Sequence, residues 1–226
     1  MRITLIRHGE PEWVKNGLNV DNPPLTTKGQ EQAEMVATYL VDTPFDEIYV
    51  SPLLRAQQTA APLLRQSGRT SITTNWLEEI RNPIWHGTPV EKAVEAYKEE
   101  RSRPSLERWG GLNGGEAVSD FVQRIDSDCS QFLQEHSYKK ADSELPVWTH
   151  GNTLDKHIAF VAHAGTNSVV ICHLLGLKPT PWEWERFVLG HASISEVEPL
   201  PLSDGVTFSL TRLSGVEHLP KSHRTV

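Results

Sequence analysis

Three short apolar runs, at residues 3–6, 45–50 and 158–162, each end in polar or charged residues and are each followed by a stretch with helical spacing. Short apolar runs bounded by turn residues read as buried strands, and strands alternating with helices fold as an α/β sheet with ligand sites beyond the strands' carboxyl ends. The first run exits into Arg7-His8-Gly9-Glu10, the second into Ser51-Pro52 with Arg55 close behind, and the third into His163-Ala164-Gly165. The residues able to do chemistry therefore stand where such a sheet gathers them.

An imidazole can attack phosphorus, a guanidinium can hold phosphoryl oxygens in a planar fork, and a glycine lets backbone amides approach an anion. Arg55 falls in the first turn of a helix that Ser51-Pro52 can begin, close to the helix's amide donors and positive end. Glu78 and Glu79 lie between apolar Leu77 and Ile80. Burial favours the protonated form of a carboxyl group, the form that a general acid needs.

The polar loop 10–24 is long for a plain connection and is a candidate wall of the site. Thr26 or Thr27 caps a helix whose Ala33, Val36, Ala37 and Leu40 face the sheet. Residues 72–74 read as a short third strand, and 81–115 as an inserted helical cap with a glycine-rich return at 110–115 that fits no nucleotide fingerprint. A second amphipathic helix follows at 116–135, with Val118, Phe121, Val122, Ile125 and Phe132 on its core face. The polar segment 137–156, with a turn at Gly151-Asn152, reads as a second insertion that lines the site or an interface. Strands at 194–197 and 206–213 complete the pattern, and the tail from Pro220 is expected to fray.

The 226 residues fit one domain with an inserted subregion, and a net charge of -7 argues against a nucleic-acid or anionic-membrane partner. Any phosphate site must be built locally. Cys129 and Cys172 lack ligand spacing and read as core thiols. His150, His157 and His163 match no zinc signature, so no metal is expected. No apolar run is long enough to span a membrane and no secretory pattern opens the chain, which gives the expectation of a cytoplasmic protein.

Taken together, Arg7-His8-Gly9-Glu10, Arg55 within the segment Ser51-Pro52-Leu53-Leu54-Arg55-Ala56-Gln57-Gln58-Thr59-Ala60, the pair Glu78-Glu79, and His163-Ala164-Gly165 resemble the histidine phosphatase superfamily. The likeness extends from Arg2 to about Val197 and includes Pro24-Leu25-Thr26, Gly114-Gly115-Glu116 and Ala192-Ser193. It implies a phosphoglycerate-mutase-like fold, three-layer α/β/α with a mostly parallel central sheet. It also implies His8 as nucleophile, Arg7, Arg55 and His163 as the cationic phosphate pocket, and Glu79 as proton donor. Glu79 fits the family's Leu-x-Glu-Ile pattern better than Glu78 does. No cofactor and no metal are implied, because aligned cations stabilise the charge of the transition state.

Two positions depart from the family. Val14 stands where mutases carry asparagine, six residues after the nucleophile, and His191 stands where the family often has asparagine, so it reads as a packing or rim residue. The leading expectation is a metal-independent phosphomonoesterase acting on a small phosphorylated metabolite through a phosphohistidine. The alternatives are a cofactor-dependent phosphoglycerate mutase, an isomerase, and an inactive phosphate-binding or interaction protein. Dimers through a sheet edge are common in the family, and this chain is compatible with a homodimer.

Overall fold

The computed structural model describes residues 1–151 and 156–226. Strand β1 (Arg2–Arg7) leads into a loop carrying a two-stranded hairpin, β2 (Val14–Lys15) and β3 (Leu18–Asn19), and then into helix α1 (Thr27–Leu40). Asn16 and Gly17 both have positive φ, 52° and 77°, the backbone that a tight two-residue hairpin turn requires. Strand β4 (Glu47–Val50), helix α2 (Leu54–Ser67) and the short strand β5 (Ile72–Thr73) follow. Next come α3 (Val90–Ser102), α4 (Val118–Glu135), β6 (Tyr138–Lys140), β7 (Trp148–His150), β8 (His157–Ala162), α5 (Ala164–Leu175), α6 (Glu183–Arg186), β9 (Ile194–Leu202) and β10 (Gly205–Gly215).

The eight-stranded sheet runs β5-β4-β8-β1-β9-β10-β7-β6. β5, β4, β8 and β1 are mutually parallel, β9 returns antiparallel to β1, and β10, β7 and β6 alternate from there. Within this sheet, β9 and β7 therefore oppose the direction shared by the other six strands. β8 lies between β4 and β1 and is buried along its whole length. Its alternate side chains divide between two cores, as the two-residue period of a strand dictates. Ile158, Phe160 and Ala162 join Phe121, Ile125 and Phe132 of α4 and Val170 of α5. Ala159 and Val161 join Val36, Ala37 and Leu40 of α1 and Ala56, Ala60 and Leu63 of α2. The result is a three-layer α/β/α sandwich.

Thr26 caps α1, accepting from the Gly29 amide at 3.0 Å. Helix α2 starts at Leu54 with Leu53 as its cap, so Pro52 lies just outside the helix rather than in its first turn. Segment 81–115 carries α3 and sits over the carboxyl end of the parallel strands, its residues walling one cavity together with the β2–β3 hairpin. In segment 137–156, the described residues form β6 and β7, which pair with each other and extend the far edge of the sheet through β10, away from that cavity. Asn152 of the expected turn lies outside the described residues.

The C-terminal tail does not fray. Gln32 Nε2 donates to the His223 carbonyl at 2.6 Å, and the Thr225 carbonyl accepts from the His191 amide at 2.9 Å. Contacts between residues this distant in sequence leave no local pattern from which to foresee them. No described helix is long and apolar enough to cross a membrane.

Candidate active site

β1, β8 and β4 are neighbours in register, so their carboxyl ends bring His8, His163 and the start of α2 together. The His8 amide donates to Ala162 O at 2.9 Å and the Ser51 amide to Val161 O at 3.0 Å, continuing the ladders past the strand ends. The His8 and His163 rings lie 5.1 Å apart, both buried. Arg55, the second residue of α2, is buried too, and its Nε donates to His8 Nε2 at 3.3 Å.

These contacts fix the proton on His8. Nδ1 faces the Gly9 carbonyl at 2.7 Å, which can only accept, so Nδ1 carries the hydrogen and Nε2 presents its lone pair. Burial, then the charges of His163, Arg55 and Arg7, hold the His8 pKa well below its ordinary value of 6.5, outweighing the Gly9 hydrogen bond. Burial, with Arg55 and Arg7, does the same to His163. The Leu53 amide donates to Ser51 Oγ at 3.3 Å, while His163 Nε2 lies 2.7 Å from the same oxygen. The Ser51 hydroxyl, already accepting from Leu53, is free to donate a hydrogen bond to Nε2, which leaves the proton of the neutral His163 ring on Nδ1.

Three buried nitrogens around His8 have no partner among the described residues: Arg7 Nε, Arg55 Nη1 and His163 Nδ1. Burial lowers the pKa of Arg7 and of Arg55 to about 10, with the charge of Glu79 opposing, so both remain cationic at neutral pH. Unsatisfied buried donors are costly unless an acceptor arrives. An anion with several oxygens, such as a phosphoryl group, meets that need.

The acidic pair divides. Glu79 receives the Gly165 amide at 2.9 Å and its own neighbour Ile80's amide at 3.0 Å, which holds it against the first turn of α5 beside His163. A methyl group on Gly165 would come within 2.4 Å of Glu79 Oε1, so the glycine makes room for the carboxylate. Glu78 instead receives Arg81 Nε at 3.1 Å and Nη2 at 2.9 Å, in a partly exposed pair.

Gly9 has a different use from the one its sequence suggests. Its amide donates to Thr59 Oγ1 at 2.9 Å and is not available to an anion. A Cβ there would approach Gly29 O to 2.6 Å, so the missing side chain serves close packing against α1. His191 enters the site from the segment before β9. Its ring lies 5.8 Å from that of His8, and Arg7 Nη2 donates to its Nε2 at 3.0 Å. Arg7 Nη1 donates to Leu189 O. Sequence reasoning placed His191 among rim or packing residues, and no local signal links it to Arg7. His150, His157 and His163 occupy separate settings: His157 pairs with Thr4 Oγ1 at 2.8 Å, and His150 lies on β7 at the far side of the sheet.

The sequence matches the family model of the histidine phosphatase superfamily, branch 1, over residues 3–201. Among curated proteins, it is 25% identical to phosphoserine phosphatase 1 of Hydrogenobacter thermophilus over 185 residues, which is 78% of this chain and 77% of that protein. It is also 25% identical to a probable phosphoglycerate mutase of Escherichia fergusonii, covering 88% of this chain and 85% of that one. Among solved structures, a mycobacterial glucosyl-3-phosphoglycerate phosphatase superposes with a TM-score of 0.70 at 21% identity, over 95% of this chain and 99% of its own.

Proposed function

This chain belongs to the histidine phosphatase superfamily, and we propose that it is a metal-independent phosphomonoesterase that transfers the phosphoryl group of a small phosphorylated metabolite to His8 and then to water. The single observation that carries this reading is the His8 ring, locked by Gly9 with Nε2 unprotonated and facing the Arg55 guanidinium.

In the first step Nε2 attacks phosphorus in line, the P–N bond forms and the bond to the ester oxygen breaks. Arg7, Arg55 and His163 hold the three equatorial oxygens, as their unpartnered buried nitrogens allow. Glu79 delivers a proton to the departing alkoxide. In the second step Glu79 takes a proton from water, which attacks the phosphohistidine, and inorganic phosphate leaves.

The names of the relatives favour water over a second substrate position as the acceptor. Phosphatases stand among them alongside a probable mutase, and Val14 lies exposed on the β2–β3 hairpin and not against His8. Incubation with 3-phosphoglycerate, with and without bisphosphoglycerate, separates the two outcomes. Inorganic phosphate is the expected product, and accumulation of 2-phosphoglycerate would replace this reading with the mutase one. Wild-type protein that forms no acid-labile phosphohistidine would leave a binding protein as the remaining function.

A further inference from the structure

We infer that the cavity above His8 selects a phosphomonoester whose alcohol portion is uncharged and carries a flat apolar ring; the inference rests on the phosphatase reading and names its substrate class. The cavity encloses about 500 Å³, within the range of sites that hold drug-sized ligands. Arg7, His8 and Arg55 form its floor, and the β2–β3 hairpin loop and segment 81–115 form its walls.

Four aromatic side chains, Trp13, Trp85, Tyr97 and Trp184, line the cavity. Trp13 lies over Arg55, whose Cζ is 4.8 Å from the ring centroid, so one ring begins directly beside the phosphate floor. Trp85 and Tyr97 meet edge-on at 5.7 Å, and Trp184 also lines the cavity. Such faces bind an amphipathic ligand with its polar end anchored and its apolar end stacked.

The charges of the walls exclude a second anion. Above the floor the cationic side chains are Arg81 and Arg101, and each is already paired. Arg81 is held by Glu78, and Arg101 lies 3.7 Å from Glu185 at the rim. The acids are engaged as well: Glu100 by Arg108, Glu116 by Arg124, and Asp21 by the Trp85 amide. A carboxylate on the substrate would give up its hydration and find no unpaired cation above the floor to replace it. An ammonium group fares no better against acids whose oxygens are already committed. An uncharged ring loses little hydration and gains apolar contact.

The test uses the full-length His8→Ala variant, which cannot turn over, and calorimetric titration with benzyl phosphate, ethyl phosphate, 3-phosphoglycerate and phosphoethanolamine. The expected Kd for benzyl phosphate is at least tenfold below each of the others. Adding Tyr97→Leu or Trp85→Leu should erase the advantage of benzyl over ethyl phosphate while leaving the Kd of ethyl phosphate unchanged. Tyr97 is partly exposed and keeps the test available if the Trp85 variant does not fold. Equal or tighter binding of 3-phosphoglycerate or phosphoethanolamine overturns the inference, as does an unchanged benzyl phosphate Kd in a folded ring variant. Failure of the wild type to release phosphate from any ester would sink the phosphatase reading alone, because binding preference is read in a variant that needs no turnover.

Discussion

Arg7 Nη2 donates to His191 Nε2 at 3.0 Å, and the acceptor ring is held from behind by Thr225 Oγ1, 2.9 Å from His191 Nδ1. A guanidinium has no lone pair to offer, so His191 must accept at Nε2 and carry its hydrogen at Nδ1. Burial, followed by the charge of Arg7, brings the His191 pKa down to about 3 and keeps the ring neutral. One arm of the Arg7 fork is thereby fixed by a neighbour that never needs to touch substrate. Removing the acceptor in His191→Ala is expected to lower kcat/KM by about tenfold to a hundredfold, the scale of a small misplacement of a catalytic group. Asparagine, whose side-chain oxygen can accept, should restore most of the loss. Steady-state kinetics of both variants on p-nitrophenyl phosphate check this, and equal rates in the alanine and asparagine variants would exclude a positioning role.

On the proposed mechanism His8→Ala should lose at least about a thousandfold in kcat, since the loss of a nucleophile is not made good by binding alone. Its thermal unfolding should remain cooperative, because the contacts of His8 are to the site and not to the two cores. Alkali-quenched labelling, which preserves a phosphohistidine, should trap a phosphorylated wild type and leave the variant unlabelled. A labelled variant would place the covalent intermediate elsewhere.

Glu79→Gln should slow esters with poor leaving groups by about a hundredfold or more, the usual range for lost general acid catalysis, and slow p-nitrophenyl phosphate far less. Gly165→Ala should reproduce part of that pattern, because its methyl group would occupy the place of Glu79 Oε1. Glu78→Gln should change neither, as Glu78 is spent on Arg81. If Glu78→Gln alone showed the leaving-group effect, the proton donor would be the neighbour.

Stability should fall as the pH drops below about 6.5. His8, His163 and His191 all have folded pKa values below that of the unfolded chain. Above pH 6.5 neither state binds these protons and the three contribute no pH dependence. Below it the unfolded chain takes them up while the folded one does not, costing up to about 1.4 kcal/mol per pH unit for each histidine. For His191 the loss continues to near pH 3. Urea unfolding at pH 7.5, 6.0 and 5.0 measures the slope before most carboxylates titrate, and His191→Asn should make it shallower. A flat profile between pH 6.5 and 5 would contradict the buried neutral rings.

The sequence by itself determined the strands that carry the site and the residues at their ends. An apolar run that exits into a reactive residue is a local pattern, legible at His8 and at His163, and Arg55 stands one residue inside the helix that follows the β4 run. The α1 and α4 core faces were equally legible, because Val36, Ala37 and Leu40, or Phe121, Ile125 and Phe132, repeat at helical spacing. Glu79 and Glu78 look alike along the sequence and part only in the fold, where Glu79 meets the Gly165 amide and Glu78 meets Arg81.

Tertiary structure alone decided the rest. The Arg7–His191–Thr225 chain joins residues from both ends of the protein, the tail is bound where its terminal position suggested fraying, and the Gly9 amide goes to Thr59. Segment 137–156 likewise finds its place only when β7 meets β10 at the sheet edge. The physical reason is the same in each case: hydrogen bonds between distant residues depend on how layers stack and which strands become neighbours, and that leaves no periodicity along the chain to read.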